Sequence, residues 1–229
     1  MSSPPGLFYA YAKHTTTDWA YRYMIVFANR ATADEWWRAV IDSVASGYQR
    51  FSEVKRITSQ FYIHDPNVNY GNIMETINDD RCAKKFLGRV FFTLLNDRDG
   101  RVIDIAPVLN FTDHISGRGF FIRSSVQGNQ CWFFDGQRLV ISRTHRTKFT
   151  VEIADNQRDG QVMIGTDRII ISLFESQNFL HVQTSGQLTL GPGPSTPIKF
   201  SQFDGGFLVT DDDSLLFNQV EGGDRWELV

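Results

Sequence analysis

The C-terminal half of the chain repeats one strand unit three times, and this repetition limits the folds open to it. Residues 131–153 read CWFFDGQRLVISRTHRTKFTVEI, residues 179–203 read FLHVQTSGQLTLGPGPSTPIKFSQF, and residues 207–229 read FLVTDDDSLLFNQVEGGDRWELV. Each copy opens with an aromatic-led strand, turns at a short polar segment and returns as a second apolar strand. A polar loop and a closing strand follow. The turns fall at Asp135-Gly136, at Ser185-Gly186 and over residues 211–214. Closing strands begin at Phe149, Ile198 and Trp226. Each has another apolar residue two positions on (Val151, Phe200, Leu228), the spacing that puts both on one face of a strand. An extra strand precedes two of the copies, at residues 120–124 and 169–174. Between the second and third copies stands only Asp204-Gly205-Gly206. No helical period is visible from Gly119 onward, so this half is expected to be an all-β sandwich, barrel or trefoil.

Three degenerate units of this kind resemble the β-trefoil family, in its fascin-like and ricin B-like forms, over about residues 115–229. Ricin B-like repeats end in a Gln-x-Trp motif. The third copy carries only the tryptophan, in Asp224-Arg225-Trp226, and the first two have Phe149 and Ile198 in its place. The resemblance implies a lectin-like half with ligand sites on repeated loops. The residues it marks are Trp132 with Asp135, His181 with Gln183, and Asp211 with Asn218. The three pairs differ chemically, which implies one or two working sites at most.

The first half has a different pattern. Residues 20–28 (AYRYMIVFA) are aromatic and β-branched and predict a strand. Thr32 with Glu35 three residues later predicts a helix start through a capping box. Trp36, Trp37, Val40, Ile41 and Val44 then recur at helical spacing, and Gly47 is the expected stop. Residues 54–64 predict a strand ending at Asp65-Pro66, and residues 72–83 a short helix. Residues 86–96 and 101–108 predict a hairpin turning at Asp97-Arg98-Asp99-Gly100. The expected fold class is therefore mixed. An α+β unit over residues 1–115 precedes an all-β, trefoil-like unit over residues 116–229.

The sequence offers little to a catalytic reading. A formal net charge of -3, with no dense Lys/Arg cluster, argues against a nucleic-acid partner. His14, His64, His114, His145 and His181 lack metal-ligand spacing, so no metal or cofactor is expected. There is no GxSxG, P-loop or GxGxxG pattern. Asp211-Asp212-Asp213 lacks the spacing of a calcium loop and reads as a hairpin turn. Cys82 and Cys131 are too few for a disulfide scaffold and read as small buried hydrophobes. No stretch approaches 18 apolar residues, so no membrane span is expected. The start of the chain has no basic and apolar leader, which makes a cytoplasmic location the default and the Asn110-Phe111-Thr112 sequon idle.

The chain is rich in rings, with 19 Phe, 7 Tyr and 5 Trp. Rings can build a β core or line a site. The leading expectation is a carbohydrate-binding, lectin-like protein acting through loop sites of the C-terminal half, with a glycan or small molecule as partner, a homodimer as one state open to it, and no enzyme activity. The alternative is an enzyme or small-molecule binder with an aromatic pocket in the first half. Tyr21, Tyr23, Trp36, Trp37, Tyr62 and His64 would line it, with His64 as acid or base. A third reading is a protein-interaction module of the actin-bundling kind, which the net negative charge disfavours for an acidic partner.

Overall fold

The structure is a computed structural model that describes residues 6–17, 20–95, 112–218 and 222–229. It is mostly β, and the described residues hold one α-helix. The chain divides into two compact units, Met1–Asp113 and His114–Val229.

The first unit holds strands β1 (Phe8–His14), β2 (Tyr23–Phe27), β3 (Lys55–Thr58), β4 (Phe61–His64) and β5 (Val90–Leu94), and helix α1 (Arg30–Ala45). The sheet order is β3-β4-β1-β2-β5, with β1 and β4 parallel and the other neighbours antiparallel. In β1 burial alternates strictly, so Phe8, Ala10, Ala12 and His14 share the inward face. Trp36 of α1 is fully buried against the rings of Phe27 (5.5 Å) and Tyr62 (5.4 Å). Trp37, about 100° further round the helix, is half-buried at the flank, 5.7 Å from the Tyr62 ring.

Several local expectations change. Helix α1 starts before Thr32, because the Asn29 side chain accepts from the Thr32 N–H (2.8 Å) and takes the cap. Thr32 is then a buried first-turn residue, and Glu35 pairs instead with Arg89 (3.2 Å). The helix does end at Gly47, whose φ of +92° suits glycine and whose N–H bonds the Val44 carbonyl. The run at 54–64 is two strands, since Ser59-Gln60 turn the chain back and pair Arg56 with Tyr62. Within 72–83 the backbone forms a 3₁₀ turn at Ile73–Ile77 in place of an α-helix. The first strand of the expected hairpin is β5; its turn and second run lie outside the described residues. Both cysteines are half-buried rather than core residues.

The second unit runs through β6 (Arg118–Ser124), β7 (Cys131–Phe134), β8 (Leu139–Ser142), β9 (Lys148–Ile153), β10 (Arg168–Leu173), β11 (Phe179–Val182), β12 (Leu188–Gly191), β13 (Ile198–Lys199), β14 (Asp204–Val209), β15 (Leu215–Phe217) and β16 (Asp224–Leu228). Strands β13, β10, β9, β6, β16 and β14 pair in that order and form a near-barrel. Three hairpins, β7–β8, β11–β12 and β14–β15, spring from it, and their return strands β8, β12 and β15 touch one another. Bridges between Val140 and Ser214 and between Gln187 and Leu216 join them.

Strand β14 does the work that two strands do in the other copies. Its first residue, Asp204, pairs with Arg225 of β16. After a register shift at Gly205-Gly206, Phe207 to Val209 pair with β15. This is how the third copy manages with so short a lead.

Rings fill the centre. The Trp132 indole is fully buried among Phe207 (4.9 Å), Trp226 (5.9 Å), Phe149 (6.1 Å) and Phe203 (6.1 Å). Three of these partners come from the later copies and their connection, so one indole ties the repeats together. Trp132→Ala should therefore destabilise this unit by about 3–5 kcal/mol. Urea denaturation followed by tryptophan fluorescence checks this; a loss under about 1 kcal/mol would mean the centre repacks without it.

Candidate functional site

Two segments rich in glycine approach each other at one end of the second unit. Gly223 N–H donates to the Gly205 carbonyl, and Asn218 N–H donates to the Gly206 carbonyl, both at 2.8 Å. The approach leaves no room for side chains. A Cβ on Gly223 would lie 2.2 Å from the Phe207 carbonyl oxygen, and one on Gly206 would lie 2.7 Å from the Gln202 backbone oxygen. Gly205 and Gly222 hold φ of +98° and +115°, which glycine adopts without strain.

This bare backbone floors a cleft of about 710 Å³. Its walls carry Ser201, Gln202, Asp204, Asn218 and Arg225, with Lys199 at the rim. Asp204 pairs with Arg225 at 2.9 Å, and the Gln202 side-chain oxygen accepts from the Lys199 N–H at 2.7 Å. Amide, carboxylate and guanidinium groups each present donors or acceptors in a plane. Such groups can each donate to or accept from hydroxyls of a polar ligand.

Of the six ligand-binding residues expected on the repeats, this cleft contains one, Asn218. Trp132 cannot stack on a ligand, because its ring is sealed in the core. The Asp135 carboxylate turns back on its own hairpin and accepts from the N–H groups of Arg138 (2.9 Å) and Gln137 (2.8 Å). These bonds hold it below the usual carboxylate range. His181 Nε2–H donates to the Gly191 carbonyl (3.1 Å), and the Gln183 amide donates to the Thr189 hydroxyl (2.9 Å). Asp211 is exposed at the β14–β15 turn. The neighbouring Asp212 faces the Thr210 and Ser214 hydroxyls and Arg138.

Most of the aromatic set of the first unit is likewise core, with Trp37 half-buried and Tyr21 45% exposed. Tyr23, Trp36, Tyr62 and His64 are all at most 3% exposed. The Trp36 indole N–H donates to the Thr76 hydroxyl (3.0 Å), and the Tyr23 hydroxyl accepts from Asn72 (2.7 Å). His64 donates from Nε2 to the Tyr21 carbonyl (2.9 Å) and accepts at Nδ1 from the Ile73 N–H (3.3 Å). Burial depresses its pKa. A neutral ring with both nitrogens engaged has no lone pair left to act as a base.

His14 sits beside it in the parallel register. Its Nδ1 is 3.2 Å from the Thr16 hydroxyl and its Nε2 is 3.6 Å from the Asp65 carboxylate. These are the residue types of a nucleophilic triad. The Nδ1 lone pair, however, already accepts the Thr16 backbone N–H (3.1 Å), so it does not take the hydroxyl proton. Among the described residues no group of three or more His, Cys, Asp or Glu side chains is placed to hold a metal ion. None of the described helices is long and apolar enough to cross a membrane.

The first unit also buries charge. Arg56 Nη2 donates to Asp34 (2.9 Å) and Asp113 (2.8 Å), while Arg30 donates to the Thr112 carbonyl and lies 3.6 Å from Asp34. Burial outweighs the two guanidinium groups and lifts the Asp34 pKa to about 6. A carboxyl whose pKa is higher folded than unfolded stabilises the fold below its ordinary value, and that contribution fades as pH rises through about 6.

Compared with known proteins, the chain matches no family model and no curated protein. The signal that could have found the cleft is in the sequence. Asp204-Gly205-Gly206 and Gly222-Gly223-Asp224 are mirror-image triplets, and paired glycines at two such places mark close backbone approach.

Two outcomes follow from these contacts. Gly223→Ala should destabilise the second unit by more than about 1 kcal/mol, read by chemical denaturation. Between pH 4 and pH 7 the denaturation midpoint of Asp34→Asn should lack the component of the parent's pH dependence that titrates near pH 6. Identical pH profiles would remove Asp34 as its source.

Proposed function

We propose that the C-terminal unit is a β-trefoil and that the chain is a carbohydrate-binding protein whose site is the glycine-floored cleft between β13, β14 and β16. The trefoil reading is supported by the pairing pattern. In the first copy β6 and β9 pair as barrel strands around the β7–β8 hairpin, and in the second β10 and β13 pair around β11–β12. In the third, the bulged β14 supplies both the strand that pairs with β16 and the first strand of the hairpin. The mutual contact of β8, β12 and β15 fits a pseudo-threefold axis.

The observation that carries the sugar reading is the cleft lining. Ser201, Gln202, Asp204, Asn218 and Arg225 form an open polar wall over bare peptide groups. Recognition here rests on hydrogen bonds to hydroxyls, because the Trp132 ring expected to stack on a sugar is in the core. An aqueous polar cleft of this type gives modest affinity per contact, about 1 kcal/mol for each bond. The pocket reading of the first unit loses support, since Tyr23, Trp36 and Tyr62 are buried and both ring nitrogens of His64 are engaged.

A glycan-array screen of the full chain, followed by calorimetry on the best binder, tests the proposal. Ser201→Trp should fill the cleft and abolish binding without touching the core. Asn218→Ala should weaken binding about fivefold, the loss of one hydrogen bond. Thermal melts confirm that both variants fold. Binding that survives Ser201→Trp unchanged would place the site elsewhere, and silence across the array would end the carbohydrate reading.

A further inference from the structure

A second cleft, of about 430 Å³, opens beside the first, lined by the end of β9 with Ala154, Asp155, Arg158, Thr166, Asp167, Arg168 and Pro197. The short strand β13 separates the two. Pro197, just before it, faces the second cleft, and Lys199, at its end, rims the first. On this ridge Arg168 of β10 pairs directly with Lys199 of β13. Their neighbours Ile169 and Ile198 form the next rung and point into the core. By strand alternation the two cations therefore share the outer face, side by side.

Like charges directly opposite on antiparallel strands repel. Elsewhere around these clefts the charges are matched: Arg158 with Asp155 at 3.7 Å and Arg225 with Asp204 at 2.9 Å. The Asp167 carboxylate accepts from the Ile164 N–H. Among the described residues neither Arg168 nor Lys199 forms an ion pair, and both are exposed. Two adjacent, unmatched cations thus stand on the ridge between the first, polar cleft and a second cleft that mixes apolar and charged side chains.

We infer that the ligand is an acidic oligosaccharide, with a sulfate or carboxylate seated between Arg168 and Lys199 and sugar units on either side in the two clefts. This rests on the reading of the first cleft as a sugar site. A nucleic acid fits less well, because the two cations match a single anion and not a run of phosphates, and the chain as a whole is acidic. The extended shape also implies that several linked sugars bind better than one.

The test is calorimetry of the full chain with three probes: a sulfated oligosaccharide of several sugars, the same oligosaccharide after chemical desulfation, and a single-stranded DNA oligonucleotide of similar length. The sulfated glycan should bind at least about tenfold more tightly than the desulfated one. Adding salt should reduce that advantage, since exposed charges are screened. Arg168→Gln with Lys199→Gln should bring the ratio of sulfated to desulfated affinity down to about one, and a double variant that keeps the full ratio would overturn the inference. Equal binding of both glycans, with Ser201→Trp blocking both, would overturn the acidic-ligand inference and leave the neutral sugar site standing. Preference for the DNA would overturn the inference in favour of a nucleic-acid surface. Failure of every glycan to bind would overturn it together with the carbohydrate reading. Thermal melts of the double variant guard against loss of fold, and both positions are on the surface.

Discussion

Contact of peptide on peptide, between Gly205-Gly206 and Gly223, is the constraint on which the C-terminal unit turns. A side chain at Gly206 or Gly223 would collide with backbone. Because none is there, β14 can shift register at Gly205-Gly206, stay paired with β16 at Phe207 and take up β15 on its other edge within six residues. The β14–β15 hairpin thereby has no separate leading strand, where β6 precedes β7 and β10 precedes β11. The same bare backbone becomes the floor of a cleft. The register shift of β14 and the candidate site are thus two results of one steric fact.

Aromatic rings do a different job in this chain from the one their abundance invites. Trp36 and Trp132 occupy corresponding roles in the two units, each surrounded by rings from other elements and cut off from water. Burial of such rings is worth more to a fold than exposure to a weak ligand, because their large apolar area leaves water. The groups left for recognition are therefore short polar side chains and backbone. Charge is divided in a comparable way. Asp34, Arg56 and Asp113 are committed to one another inside the first unit, whereas Arg168 and Lys199 stand exposed on the second.

Much of the architecture was legible as periodicity. The three aromatic-led copies, their turns and their closing strands correspond to β7–β9, β11–β13 and the latter part of β14 through β16. Helix α1 could be read from Trp36, Val40 and the Gly47 stop, but its start could not, because Asn29 and Thr32 are both good caps and only backbone geometry chooses between them. Strand β1 carries a weak signal because its inward face includes Ala10 and Ala12, which have little strand preference. The division of residues 54–64 into β3 and β4 depends on pairing with β1, a partner distant in sequence.

The sequence by itself determined the repeat, the ring-rich composition and the glycine triplets, since these are local patterns in the order of residues. Tertiary structure decided which rings became core and which polar groups came together. Trp132 was an attractive sugar platform until Phe207 and Trp226, some 75 to 94 positions later, closed over it. Asp135, His181 and Gln183 were spent on their own hairpins. Asn218 met Gly206, Lys199 met Arg168, and two clefts formed around them only when strands apart in sequence were laid side by side. A binding surface is a statement about distances in space, and those distances are set by packing between segments that the linear order keeps apart.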